Sequence, residues 1–323
     1  MRARTLLALS AGLPLLLTGC GGSSNAKVSS NGSPSSSEDT SKVLVVLADN
    51  LKLQTVDNIV PVIRTKVASD AAKQALEKVS AALSETDLID LNKAVDIDRH
   101  TSEAAAESFV KDKGLDSGVS GGSGKLVVGA ANFSESITLA NVYADALKAA
   151  GFDTSVKTLD SREVYEPALE KGDLDVFPEY VGTLTEFLNK KVNGANAAAK
   201  ASNDLDATLT ALKALAGPRG LTVYTPAAAD DKNAFAVTKK FATDNSLTKL
   251  SDLKNVTTPL VLGGPAECPT RPFCEVGLQK TYGLKFASFK SLDAGGPLTK
   301  AALKDGTIQV GLVFSSDGSL GSL

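Results

Sequence analysis

The chain has 323 residues, with 34 basic against 37 acidic side chains, a net charge of −3 and 43% apolar residues. No basic patch stands out, so nucleic acid is not an expected partner. A single His, three Cys and the absence of a phosphate loop or clustered metal ligands leave no cofactor, no metal and no enzymatic activity to predict.

The first residues read as an export signal. Arg2 and Arg4 precede LLALSAGLPLLL, an apolar run too short to span a bilayer as a stable helix. It ends in Leu17-Thr18-Gly19-Cys20, which is similar to a bacterial lipobox, where Cys20 would take a diacylglycerol thioether and become the amino terminus. The alternative is an ordinary signal peptide with a chance cysteine. Small residues before Cys20 and a polar stretch after it favour the lipid anchor. Residues 1–19 are then signal peptide, and 20–42 form a flexible tether too poor in apolar side chains to offset its ordering entropy.

Val43 to Leu47 predicts a strand, and amphipathic helices follow near 70–83, 85–95 and 101–111. Residues 115–124 are a Gly/Ser-rich joint whose root-mean-square span is roughly 16–19 Å. Lys125 to Ala130 predicts a buried strand. Ser134 offers an N-cap to a helix whose apolar stripe includes Ile137, Leu139, Tyr143 and Leu147 and which Gly151 stops. Phe152–Leu159 returns to strand, Arg162–Lys171 to helix, and Gly172–Val176 to a short strand. The alternation recurs with strands at 236–237, 259–262 and 308–314 and helices from Leu250 and at 298–303. This βαβα order predicts an α/β fold of two lobes, each with a largely parallel sheet and helices on both faces.

If Cys20 is lipidated, Cys268 and Cys274 are the remaining thiols, and an oxidising compartment lets them close a short loop as a disulfide. A metal site would need more ligands than these two, and His100 lies far away in sequence.

Four blocks in 125–320, KLVVGAANFSES, DVFPEYVGT, LVLGGPAECPTRPFC and LDAGGPLTKAALKDG, resemble the front and middle of the periplasmic glycine betaine/choline-binding proteins of ABC importers. VLVVLADNLKLQTVDNIVPVIRTKV and ALSETDLIDLNKAVDI, within 43–114, resemble the tail of the same family. Together they amount to one domain in circularly permuted order. The resemblance implies a two-lobed periplasmic-binding-protein fold of type II-like form. One lobe would comprise about 125–226 plus 49–114, the other about 233–315 plus 43–47. It also implies a small cationic or zwitterionic solute of glycine betaine, choline or carnitine type as ligand. The partners would be ABC permease transmembrane subunits, and the place the extracytoplasmic face of the membrane. The alternative is a ligand-sensing or structural lipoprotein of the same fold with no transport role.

A quaternary ammonium has no hydrogen-bond donors, so aromatic faces and carboxylates recognise it, whereas a ligand carboxylate needs N–H or O–H donors. Tyr180 and Thr183 in PEYVGT match the family's cage tyrosine and ligand-contacting threonine; the bland reading of Tyr180 is a packed loop tyrosine. Phe314 in LVFSSDG stands where relatives carry a cage aromatic, or is core. Asn233 and Asp57 stand where many relatives have tyrosine, which replaces two aromatic walls by an amide and a carboxylate and puts an ordinary betaine cage in doubt. Asn132 and Ser134 lie where exposed N–H groups of a helix start can meet a ligand, with plain capping as the compatible alternative. Arg162 either holds a ligand carboxylate or pairs with an acid of its own lobe.

Overall fold

The computed structural model describes residues 40–320; the expected signal peptide, Cys20 and the tether before residue 40 lie outside them. β1 (Leu44–Val46) leads through an irregular segment to β2 (Ile59–Arg64), a strand that the sequence reading does not anticipate. Three amphipathic helices follow, each opened by a hydroxyl that accepts a backbone N–H: Ser69 before α1 (Asp70–Ala82), Ser84 before α2 (Glu85–Asp96) and Thr101 before α3 (Ser102–Asp112). Ser84 and Asp87 complete a reciprocal capping box.

β3 (Lys125–Ala131), α4 (Ser134–Ala149), β4 (Asp153–Leu159), α5 (Arg162–Lys171), β5 (Val176–Tyr180) and α6 (Val181–Asn193) then alternate. Gly172 adopts the left-handed conformation that ends α5, so the strand expected at Gly172–Val176 starts only at Val176 and runs on to Tyr180. α7 (Leu205–Ala216) and β6 (Leu221–Val223) complete this part. The remainder is β7 (Asn233–Thr238), α8 (Lys239–Asp244), β8 (Val261–Gly264), α9 (Glu275–Tyr282), β9 (Ser288–Ser291), α10 (Pro297–Lys304) and β10 (Val310–Phe314). Leu250–Asn255 forms a 3-10 turn where the sequence suggests a short helix.

Among the described residues two five-stranded sheets form, in the orders β4-β3-β5-β2-β6 and β9-β8-β10-β7-β1. Both follow one pattern: three strands run parallel, and the last two join antiparallel. The sheets are therefore mixed rather than largely parallel. In the first lobe α1, α2 and α3 lean on α4, burying Leu76, Val79, Leu88, Phe109 and Val110 against Tyr143 and Leu147. Phe177 and Phe235 are fully buried, one in each lobe, and each such side chain contributes about 1.5–3 kcal/mol.

Two segments cross between the lobes, one from β1 to β2 and one from β6 to β7. They meet at the bridge between Asn58 and Asp230; the Asp231 N–H donates to the Asp57 carbonyl at 3.2 Å, and the Asp57 N–H donates to Asp230 Oδ1 at 3.0 Å. The chain after β10 joins them, with the Ser315 N–H on the Lys232 carbonyl and the Ser316 N–H on Asp231 Oδ1.

Candidate ligand-binding cleft

A cavity of about 650 Å³ opens at the carboxyl ends of the parallel strands, between the two lobes. Open α/β sheets place their ligands there, because strand-to-helix turns present N–H groups and short polar side chains to one crevice. Its wall includes Asp57, Asn132, Arg162, Tyr180, Thr183, Asn233 and Phe314. Ser134 is not part of it. Phe133 is the N-cap residue of α4 and has no side-chain cap bond; Ser134 is already the first helical residue, and its carbonyl accepts from Thr138 Oγ1 at 2.8 Å. The capping expected of Ser134 is therefore not made.

The aromatic wall is built on Phe133, which no sequence motif singles out. Its ring stacks on Phe314, with centroids 5.5 Å apart, and on Tyr180 at 6.5 Å. Phe133 thus joins Tyr180 and Phe314 in one aromatic cluster on the cavity wall. The Tyr180 hydroxyl donates to Glu135 Oε1 at 2.7 Å, which fixes the ring. Glu135 Oε2 accepts from Asn92 Nδ2 and from Ser316 Oγ, each at 2.6 Å. Burial raises the pKa of Glu135 and holds that of Asp231 well above the usual carboxylate range; the proximity of the two acids adds to the effect on Asp231.

Asp57 comes from the first crossover and caps α6 in place of a residue of that helix. Its Oδ1 accepts the N–H groups of Gly182 at 2.8 Å and Thr183 at 2.9 Å. Gly182 is required for this approach: a Cβ there would stand 2.3 Å from the Val56 carbonyl oxygen. Burial pushes the Asp57 carboxyl up to about 7, against the pull of the Thr183 N–H and of the Arg162 charge. Arg162 is committed to Glu179, donating through Nε at 3.0 Å and Nη2 at 2.8 Å, with Nη2 also 3.2 Å from Thr183 Oγ1. This pair is nearly dry, at 8% and 1% side-chain exposure.

The second lobe covers the cavity with the loop from β8 to α9. Cys268 and Cys274 form the disulfide, with Cα atoms 5.2 Å apart. The loop carries Phe273, whose carbonyl accepts from Gln54 and Asn233 side chains, and Arg271, whose Nη2 reaches Glu163 of α5 at 3.0 Å. Asn233 is therefore partly used in positioning this loop. Phe133 was legible as the residue between Asn132 and Ser134. Phe187 and Lys190 were legible as positions four and seven beyond Thr183, once α6 is known to be a helix. Asp231, Arg271 and Phe273 had no signal of their own. Among the described residues no group of three or more His, Cys, Asp or Glu side chains is arranged to hold a metal ion, and no helix is long and apolar enough to cross a membrane.

The sequence model of the substrate-binding domain of ABC-type glycine betaine transport systems matches residues 33–112 and 124–323. The chain belongs to this family. A curated relative is the glycine betaine-binding protein YehZ of Escherichia coli (strain K12), 25% identical over 206 residues that cover 61% of this chain and 66% of that protein. The match thus spans a little less than two thirds of that relative's length. Among solved structures, a glycine betaine/carnitine/choline ABC transporter is similar at 21% identity and a TM-score of 0.38, covering 60% of this chain and 70% of that one. OppA of Haemophilus influenzae, in complex with the peptide RPPGFSPFR, gives 11% identity and a TM-score of 0.27, covering 56% of this chain and 43% of that one.

Proposed function

We propose that this chain is the extracytoplasmic substrate-binding protein of an ABC importer and takes a small amine solute of quaternary-ammonium type between its lobes. One observation carries the reading: a cluster of three aromatic rings, Phe133, Tyr180 and Phe314, lines the same cavity as the buried acids Asp57 and Asp231. Rings attract a cation that has no donors, and a dehydrated carboxyl gains most from a positive neighbour. Tyr180 and Phe314 serve as cage walls, Asp57 and Asp231 as countercharge, and Asn132, Thr183 and Asn233 as polar contacts. Arg162 acts on the ligand through Thr183 and Glu179.

Closure brings the lobes together around the solute, and the closed form is what the permease transmembrane subunits meet. Family membership and the separate matches on either side of residues 113–123 support a permuted domain joined at its Gly/Ser-rich stretch. The polar tether and the Leu-Thr-Gly-Cys ending support anchorage through Cys20.

Thermal-shift titration with glycine betaine, choline, carnitine and proline betaine tests the reading. A ligand at a hundred times its dissociation constant stabilises by about 2.7 kcal/mol, an easily measured rise in melting temperature. No rise with any of the four at millimolar concentration overturns it.

A further inference from the structure

The cavity is far larger than a compact osmolyte, although the lobes are already bridged by Arg271 and Glu163. Glycine betaine has about eight heavy atoms; at no more than a water's share of about 30 Å³ each, these displace at most about 240 Å³. Part of the remaining space runs along α6. On α6, Thr183, Phe187 and Lys190 line the cavity and are partly exposed, with Lys191 beside them, whereas Val181, Gly182, Leu184, Thr185, Glu186, Leu188 and Asn189 are buried. These positions are four and seven residues apart, so they form one stripe, and from Thr183 to Lys190 the helix rises about 10 Å.

The two ends of that stripe differ in chemistry. Thr183 touches Asp57, beside the aromatic cluster. At the other end Lys190 makes no ion pair among the described residues. Its Nζ reaches only the Thr270 carbonyl, at 3.4 Å, whereas Lys191 beside it is held by Glu166 and Glu170 and Arg271 by Glu163 and Glu267. Burial and the nearby Lys280 lower the pKa of Lys190, with Glu186 opposing them, so an anion there would offset the like charge of Lys280. Between the ends the wall carries Phe187 and Phe273.

We propose that the ligand is an elongated zwitterion: an ammonium head at the Phe133–Tyr180–Phe314 cluster and Asp57, an apolar spacer along Phe187, and a carboxylate at Lys190. The proposal rests on the amine-binding reading above and specifies its substrate class. An extended chain advances about 1.2 Å per bond, since a residue's three backbone bonds span about 3.5 Å. A lysine reaching inward shortens the gap, so roughly six methylenes between nitrogen and carboxylate fit best.

Calorimetric titration of the full-length protein with trimethylammonium carboxylates of one, three and six methylenes, and with hexyltrimethylammonium, tests this. The six-methylene acid should bind at least tenfold more tightly than glycine betaine, and more tightly than the carboxylate-free hexyl ion. In Lys190→Gln, the affinity ratio of the six-methylene acid to the hexyl ion should fall to near one. Equal or tighter binding of glycine betaine overturns the elongated ligand while leaving amine binding intact, and an unchanged ratio in Lys190→Gln removes the carboxylate from Lys190. Binding by none of the four overturns both readings.

Discussion

α6 in the first lobe and α10 in the second both start at the cleft, and both are capped by an aspartate from outside the helix. Asp57 reaches α6 from the crossover, 125 residues away in sequence from the N–H of Gly182 that it accepts. Asp293 lies just before α10 and accepts the N–H groups of Leu298 at 2.8 Å and Thr299 at 2.9 Å. The sheets behind these helices share one strand pattern, and both aspartates line the cavity. Asp57, however, is buried and its carboxyl is pushed up to about 7, whereas Asp293 is partly exposed. The difference shows how one capping device serves two ends. In the second lobe it closes a helix locally. In the first it ties the β1–β2 crossover to the helix that carries the cavity wall, and places a carboxyl where a cation would offset the cost of its burial.

Four changes probe this contrast, beginning with the largest expected effect. Glu179→Ala leaves the Arg162 guanidinium buried and unpaired in the first lobe, which should cost about 3–5 kcal/mol in denaturant unfolding. A loss below about 1 kcal/mol would mean that water reaches Arg162.

The raised Asp57 carboxyl sets a pH dependence. Between its unfolded value of 3.8 and its folded value of about 7, the native protein holds a proton that the unfolded chain has released. Stability of the ligand-free protein should therefore be fully present below the unfolded value and fall as pH rises through about 7, by up to about 4 kcal/mol. Asp57→Asn should flatten that slope in chemical denaturation series, leaving a residue from Glu135 and Asp231, both raised by burial. An unchanged slope would exclude Asp57 as its source.

In the second lobe, reducing Cys268–Cys274 releases a short loop and should lower stability by about 2 kcal/mol on the chain-entropy account. The check is the shift in denaturation midpoint with and without reductant. Asp293→Ala should cost least, about 1 kcal/mol, as the loss of a local cap. If it cost as much as a change at Asp57, the two caps would not differ in kind.

Much of the fold was legible because its helices carry strong local signals: Ser69, Ser84 and Thr101 before apolar stripes, and Arg162–Lys171 as a helix with Gly172 behind it. β2 was hidden by Pro61, which argues against a central strand. In the sheet it faces Pro178 of β5, and its carbonyl accepts from the Tyr224 N–H at 3.0 Å on the other side. The ladder thus loses little where two prolines meet. The cleft was legible where a residue sits at a strand end, as Tyr180 does, or after one, as Asn132 does. It was not legible where the meaning of a side chain depends on a distant partner. Nothing near Asp57 in sequence announces that it caps α6, and nothing beside Glu135 announces its contact with Ser316, 181 positions away.

The proposed binding of a quaternary ammonium at the aromatic cluster of the inter-lobe cavity is tested by calorimetric titration of choline and glycine betaine into the wild-type protein and Tyr180→Ala. At least one ligand should bind the wild type, and its affinity should fall about thirtyfold in the variant, the equivalent of about 2 kcal/mol for a desolvated cation–π contact. Equal affinity in the two proteins would contradict the claim.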